Sequence, residues 1–355
     1  MSGISRVLER GARIAGATAI AWLAARTCLR SLRTIDLRGR VVVITGGSRG
    51  LGLTLARQCV REGARVAICG RGADDLERGA SQLRSLGGAV ASQVCDVGDP
   101  QQVSEFVAHV RDAFGHIDVL INNAGMIQVG PLETMTLNDF EDALATHYWG
   151  PVHMVQATLP EMRRRHSGRI VNIVSIGGEI AVPHLVPYCA SKFALAGFSR
   201  GLRTSLAREN VFVTTVFPGL MRTGSHLQAE FKGRHREEFA WFSILGALPI
   251  ASTDAETAAR KILRGCREGR AEVHFSVPER IVPALATLCP ELAAELTSMA
   301  DRLLPSPGGI DTSSARGIES QSAWSPSWLT TLSDKAARRN NEVGGNGTHT
   351  QFGTN

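Results

Sequence analysis

From residue 40 onward the chain alternates short β-branched runs with longer stretches whose apolar residues recur every three or four positions. The runs Val41–Thr45, Arg65–Cys69, Ala89–Val94, Ile117–Ile121, Arg169–Ser175 and Val211–Phe217 are rich in Val and Ile. They are apolar enough to be buried on both faces and predict strands of a parallel sheet. Between them Leu51–Glu62, Asp74–Leu86, Pro100–Phe114, Leu137–Arg165 and Leu185–Glu209 read as helices, and a helix at Ala255–Arg267 precedes a further strand at Ala271–Phe275. Strands alternating with helices in this order predict an α/β domain with a doubly wound parallel sheet, residues 39–304, with helices on both faces.

The two ends break the pattern. Ile14 to Ala25 is a 12-residue uncharged run between Arg13 and Arg26. As a helix it would measure about 18 Å, short of the roughly 30 Å hydrocarbon core of a bilayer. Three placements of the segment 1–38 are open: a basic helix lying on a membrane surface through residues 1–35, a removed targeting segment, or a helix packed on the domain. Pro305 to Asn355 is rich in Ser, Gly, Asn and Thr without an apolar period, and is expected to be a largely disordered tail.

Charge sharpens this division. The net charge is +6, and the whole excess lies in residues 1–40, where eight Arg face Glu9 and Asp36. Residues 306–355 balance four basic against four acidic side chains, so the body between is neutral and carries no basic excess for the phosphate backbone of a nucleic acid. The 7 cysteines form no C-x-x-C pair, which excludes a zinc cluster of that spacing and fits a reducing, cytoplasmic setting.

The candidate chemistry sits at the ends of the predicted strands. Thr45-Gly46-Gly47-Ser48-Arg49-Gly50-Leu51-Gly52 joins the first strand to the first helix. Gly46 permits the turn, Gly50 lets the backbone approach a diphosphate, and Gly52 allows close packing of helix on strand, with the helix N-terminus facing the negative charge. The second strand ends in Cys69-Gly70-Arg71 rather than in the acidic residue that would bind a ribose 2′-hydroxyl. Arg49 and Arg71 therefore point to NADP(H), unless both are solvated surface residues. Asp96 after the third strand and Asn123-Ala124-Gly125 after the fourth are placed to line the same cofactor or to serve as ordinary turn residues. Tyr188 and Lys192 stand one helical turn apart, thirteen residues beyond Ser175. An ammonium beside a phenol favours the phenolate and makes Tyr a usable proton donor and acceptor, with Ser175 anchoring a substrate oxygen.

These motifs together resemble the short-chain dehydrogenase/reductase family in its single-domain branch, over roughly residues 39–275. The resemblance implies a Rossmann fold, with Tyr188 passing the proton to or from the substrate oxygen and Lys192 binding the nicotinamide ribose. It also implies that Ser175 orients the substrate, and that Pro218-Gly219 and Thr223 flank the nicotinamide. Hydride moves between cofactor and substrate. The family's usual Asn in the fourth helix is replaced by His147, which either sustains a water relay to Lys192 or has drifted from that role.

The expected activity is the NADP(H)-dependent interconversion of a ketone or aldehyde with an alcohol on a hydrophobic small molecule, in a homo-oligomer. The rival is a non-catalytic dinucleotide-binding sensor or scaffold. The expected substrate lid, 220–249, holds Phe231, Phe239, Trp241, Phe242, Ile244, Leu245 and Leu248. Those residues either face a lipid-like substrate or pack the lid onto the domain. An apolar extension, 276–304, would enlarge the pocket rim, dock on a membrane or bury an oligomer contact.

Overall fold

The computed structural model describes residues 27–248, 252–322 and 330–343, together with the helical residues Thr18, Ala21, Ala24 and Ala25. The expected helix Ile14–Ala25 thus lies mostly outside the described residues. Among those described, no helix is long and apolar enough to cross a membrane.

Seven strands form the central sheet: β1 (Val41–Thr45), β2 (Arg65–Gly70), β3 (Val90–Val94), β4 (Val119–Asn122), β5 (Gly168–Ile173), β6 (Val211–Phe217) and β7 (Glu272–His274). All pairings are parallel, in the order β7-β6-β5-β4-β1-β2-β3. The order reverses beside β1, the switch point at which open α/β sheets leave a crevice at the carboxyl ends of their strands.

The helices cover both faces. One layer is α1 (Gly50–Arg61), α2 (Ala73–Ser85) and α8 (Ala255–Arg267), and the other is α3 (Pro100–Phe114), α4 (Leu137–Leu144), α5 (Gly150–Arg164) and α6 (Val186–Ser205). Ile44, Leu53, Ile68 and Ile262 fill the core on the first side, and Phe106, Val107, Leu120 and Met162 fill it on the second. Each such side chain contributes about 1.5–3 kcal/mol by leaving water. Asp99 caps α3 by accepting from the Gln101 and Gln102 amides, and Asp254 does the same for α8. Arg49, ahead of α1, provides no side-chain cap, so that helix begins with amides open to an outside acceptor.

The stretch expected as one helix, 137–165, is continuous but not regular. Residues Ala145–Trp149 form a π-turn between α4 and α5. The wider turn swings His147 into the interior.

Beyond β6 the chain runs through α7 (His235–Ala247), then α9 (Val277–Leu288) and α10 (Pro290–Asp301) after β7. The tail departs from expectation. Ala315 and Arg316 pair with Phe231 and Glu230, and α11 (Thr331–Arg339) folds back over the sheet end. Its order comes from contacts with residues far away in sequence, which no local apolar period reveals. Residues 323–329 and 344–355 of the tail lie outside the described residues.

Candidate active site

A cleft of about 490 Å³ opens at the carboxyl ends of β1, β4, β5 and β6. Apart from Thr45, which lies beneath it, every residue expected of catalysis or cofactor binding lines this one cleft. A larger hollow of about 890 Å³ lies elsewhere, between residues 25–33 and β7, and holds none of them.

The floor of the cleft is built without side chains. Gly46 has φ +62°, and a Cβ there would stand 2.9 Å from Ala124 Cα; a Cβ on Gly52 would run into the Gly46 carbonyl. Thr45 Oγ1 accepts from the Asn123 and Ala124 amides at 2.9 and 3.0 Å, and Asn123 Nδ2 donates to the Thr45 carbonyl at 3.0 Å. These bonds tie the first and fourth strand ends into one rigid cradle. Asp96 Oδ1 accepts from the Gly98 amide at 2.9 Å, so it shapes its own turn while facing the cleft.

On the other side of the cleft, Tyr188 is half-buried and Lys192 is buried. Lys192 Nζ lies 5.6 Å from the centre of the Tyr188 ring and donates to the Ile173 carbonyl at 3.1 Å. Burial dominates both groups. It pushes the Tyr188 phenol up to about 12, against the opposing pull of the Ser175 side chain, and the Lys192 ammonium down to about 7. At neutral pH the phenol therefore keeps its proton, while burial works against the charge on Lys192. Lowering of the phenol by Lys192, anticipated from the i, i+4 spacing, is not the leading effect in this state. Ser175 Oγ accepts from the Gly177 amide at 3.1 Å, which fixes the hydroxyl at the mouth of the site.

His147 is committed to the protein on both ring nitrogens. Its Nε2 accepts from the Met126 amide at 3.1 Å, so Nδ1 carries the proton and faces Ser191 Oγ at 2.7 Å. Ser191 Oγ in turn donates to the Tyr188 carbonyl at 2.8 Å. Desolvation, joined by the nearby Lys192 charge, holds the imidazole well below its ordinary value, hence neutral. No ring nitrogen is left over for a relay water; His147 instead holds the turn at Met126 and the helix carrying Tyr188.

Two expectations about the rim change. None of the seven apolar lid residues lines the cleft. Phe231 and Phe239 are fully buried against Val129, Leu185 and Leu227, with Trp241 and Phe242 packed alongside. Those rings anchor the lid. The apolar lining comes instead from Met126, Ile127 and Met221, next to the polar Gln228, Glu230 and Arg316.

The second change was not foreseen at all. The Asn340 carbonyl accepts the Gly50 amide at 2.8 Å, and Asn341 Nδ2 donates to the Ser48 carbonyl at 2.9 Å. Glu342 stands over the glycine turn, its Oε1 2.6 Å from where a Gly50 Cβ would be. Its Oε2 lies 3.5 Å from Arg49 Nε, and Arg49 Nη1 binds Asp75 at 3.0 Å. Burial pushes the Glu342 carboxyl up to about 7, with Arg49 opposing and Asp75 adding to the rise. Arg71 is exposed at the end of β2. The only sequence signal for the tail contact is the polar triplet Asn340-Asn341-Glu342, which has no periodicity to mark it.

The side-chain-free cradle, the uncapped helix start and the Ser175, Tyr188 and Lys192 cluster fit a nicotinamide dinucleotide bound across the switch point. This is the arrangement of a dinucleotide-binding oxidoreductase fold. The family model described as short chain dehydrogenase matches residues 40–232, and the chain belongs to that family. It is 37% identical over 199 residues to Dehydrogenase/reductase SDR family member 7B of Bos taurus, a match covering 54% of this chain and 61% of that protein. It is 36% identical over 188 residues to Gluconate 5-dehydrogenase of Gluconobacter oxydans (strain 621H), covering 53% and 73%. Among solved structures, a Trp-substituted actinorhodin polyketide ketoreductase with NADPH superposes with a TM-score of 0.61 at 28% identity, covering 68% of this chain and 97% of that one. The chain thus spans about three fifths of the bovine relative's length.

Proposed function

We propose that the protein is an NADP(H)-dependent oxidoreductase that interconverts a ketone or aldehyde with an alcohol on a small, partly apolar molecule. The observation that carries this reading is the convergence of Ser175, Tyr188 and Lys192 on one cleft with the glycine cradle. The dinucleotide, when bound along residues 46–52 and 123–125 and against Pro218-Gly219 and Thr223, supplies or accepts the hydride. In the reducing direction the protonated Tyr188 phenol gives its proton to the carbonyl oxygen while the Ser175 hydroxyl orients that oxygen. In the oxidising direction the same side chain, acting as the phenolate, takes the proton of the alcohol oxygen. Lys192, titrating near neutrality, supplies the adjacent positive charge and a donor for ribose hydroxyls. The similarity to a ketoreductase crystallised with NADPH, and the placement of Arg49 and Arg71 with no acid at the end of β2, support NADP over NAD.

Met126, Ile127 and Met221 support an apolar flank on the substrate. The exposed row Val277, Ile281, Leu285 and Leu288 on α9, with Arg280 beside it, supports delivery of that substrate from a membrane surface.

A panel of ketones, aldehydes and alcohols followed by NADPH absorbance tests the reading, with dissociation constants for NADPH and NADH measured in parallel. Tyr188→Phe is expected to reduce turnover about 10³-fold with NADPH affinity unchanged. Tight NADPH binding without turnover on any substrate would replace the enzyme with a non-catalytic sensor.

A further inference from the structure

The cradle fits a dinucleotide in every respect but one: the chain's own tail is in it. A diphosphate on this loop would use the open amides at the start of α1 and the bare face of Gly50. The Gly50 amide is bound by the Asn340 carbonyl, and the Gly50 face is covered by the Glu342 carboxylate. That carboxylate is 3% exposed, and its Oε2 has no hydrogen-bond partner. A carboxyl group is thus buried, incompletely paired, over the glycine turn. It fills the space that the loop leaves open for a diphosphate.

The mooring is extensive. Asn340 Oδ1 accepts from buried Arg57 Nη2 at 2.6 Å, and Arg57 Nη1 donates to the Arg339 carbonyl at 3.0 Å. Asn340 Nδ2 donates to the Thr223 carbonyl at 3.1 Å, and Gln228 Nε2 donates to the Glu342 carbonyl at 2.8 Å. Ala337 is packed directly on Gly224, which leaves no room for a larger residue on either side. The same short segment therefore grips both the diphosphate cradle and the lid residues 223–228.

We propose that residues 330–342 are an autoinhibitory plug, which occupies the diphosphate cradle in the resting protein and must leave before NADP(H) binds. The proposal rests on the cofactor assignment made above. Because plug and cofactor compete for one place, their coupling is reciprocal: cofactor releases the plug, and loosening the plug tightens cofactor binding. Departure of the plug also frees Arg49 from Glu342 and removes two hydrogen bonds made to lid residues, at Thr223 and Gln228. Cofactor binding is thereby coupled to the segment 223–228.

The test uses the full chain. Amide hydrogen exchange is followed at 330–342 with and without saturating NADPH, and the NADPH dissociation constant is measured by calorimetry for the wild type and for Ala337→Arg, which cannot pack on Gly224. The plug predicts that NADPH raises exchange at 330–342 to the level of exposed chain, and that Ala337→Arg binds NADPH about tenfold more tightly or better. Asn340→Ala, which removes the Arg57 and Thr223 bonds without adding bulk, gives the same readout should Ala337→Arg fold poorly. Unchanged or slowed exchange at 330–342 in saturating NADPH, or affinities equal within about twofold, would overturn the plug and leave the cofactor assignment standing. If neither wild type nor variants bind NADPH or NADH, the cofactor assignment fails and the plug with it.

Discussion

His147→Asn separates an imidazole that holds the fold from one that relays protons. The wild-type ring satisfies the Met126 amide and engages Ser191 across a fully enclosed position. Asn is shorter and can keep only one of these partners. The loss of one buried hydrogen bond, with the volume removed, costs about 2 kcal/mol of stability at pH 8. The pH dependence carries the sharper signal. The folded value of His147 is depressed, so its contribution to stability is present above the unfolded value near 6.5 and is lost as pH falls below it. One proton taken up on unfolding corresponds to about 1.4 kcal/mol per pH unit, hence about 2 kcal/mol between pH 6.5 and 5. The variant has no such group. Urea unfolding of both proteins from pH 8 to pH 5 should show a gap of about 2 kcal/mol at the alkaline end that closes towards zero at the acid end. His226, also held low at about 4, is common to both chains and cancels in the difference. A gap that stays constant or widens on acidification would refute a neutral, structural His147.

Two further outcomes test other parts of the structure. Asp118 is 4% exposed, accepting from Arg40 and Arg165 through Oδ1 and from the Val41 amide through Oδ2; burial would raise it, but these partners outweigh that and hold it below the usual carboxylate range. Asp118→Asn should cost about 3 kcal/mol in urea unfolding at pH 7 and lose less as pH falls. Glu342, docked against Arg49 and Asp75, has a value raised to about 7, so docking is strongest below the ordinary carboxylate range and weakens as pH rises through 7. Glu342→Gln mimics the protonated form at every pH. It should bind NADPH more weakly than the wild type, with the ratio of the two affinities growing about tenfold from pH 6 to pH 8; a ratio independent of pH would contradict a buried, titrating plug.

Most of the sheet was legible in the sequence because buried parallel strands leave dense Val and Ile runs, and all seven predicted strands correspond to strands of the central sheet. The cradle and the Ser175, Tyr188 and Lys192 cluster were legible because each motif sits at a strand end or one helical turn from its partner. What escaped depends on long-range contacts. The π-turn at Ala145–Trp149 falls within an unbroken helical pattern, and only the bonds to Met126 and Ser191 reveal what it does with His147. The apolar lid residues carried no sign of direction, and Phe231 and Phe239 face the core rather than the cleft. A buried polar chain, Asn122 to Asn172 to Ser199 to Thr215 at 2.7–2.9 Å, links β4, β5, α6 and β6 beneath the site. Its members are spread over nearly a hundred residues of sequence. The ordered tail is the extreme case, since Asn340 is bound to Thr54 and Arg57 more than 280 positions away.

That distance along the chain also sets an order in time. Residues 330–342 leave the ribosome after all seven strands and both layers of helices have emerged, and domains begin to fold as they are made. A nascent chain that has completed β7 therefore presents an open cradle with no competitor. Under the plug proposal, cofactor present at that stage meets the site at its highest affinity, whereas a finished molecule must first release residues 330–342. The history of each molecule, and not only the concentration of dinucleotide around it, then sets how quickly it becomes loaded.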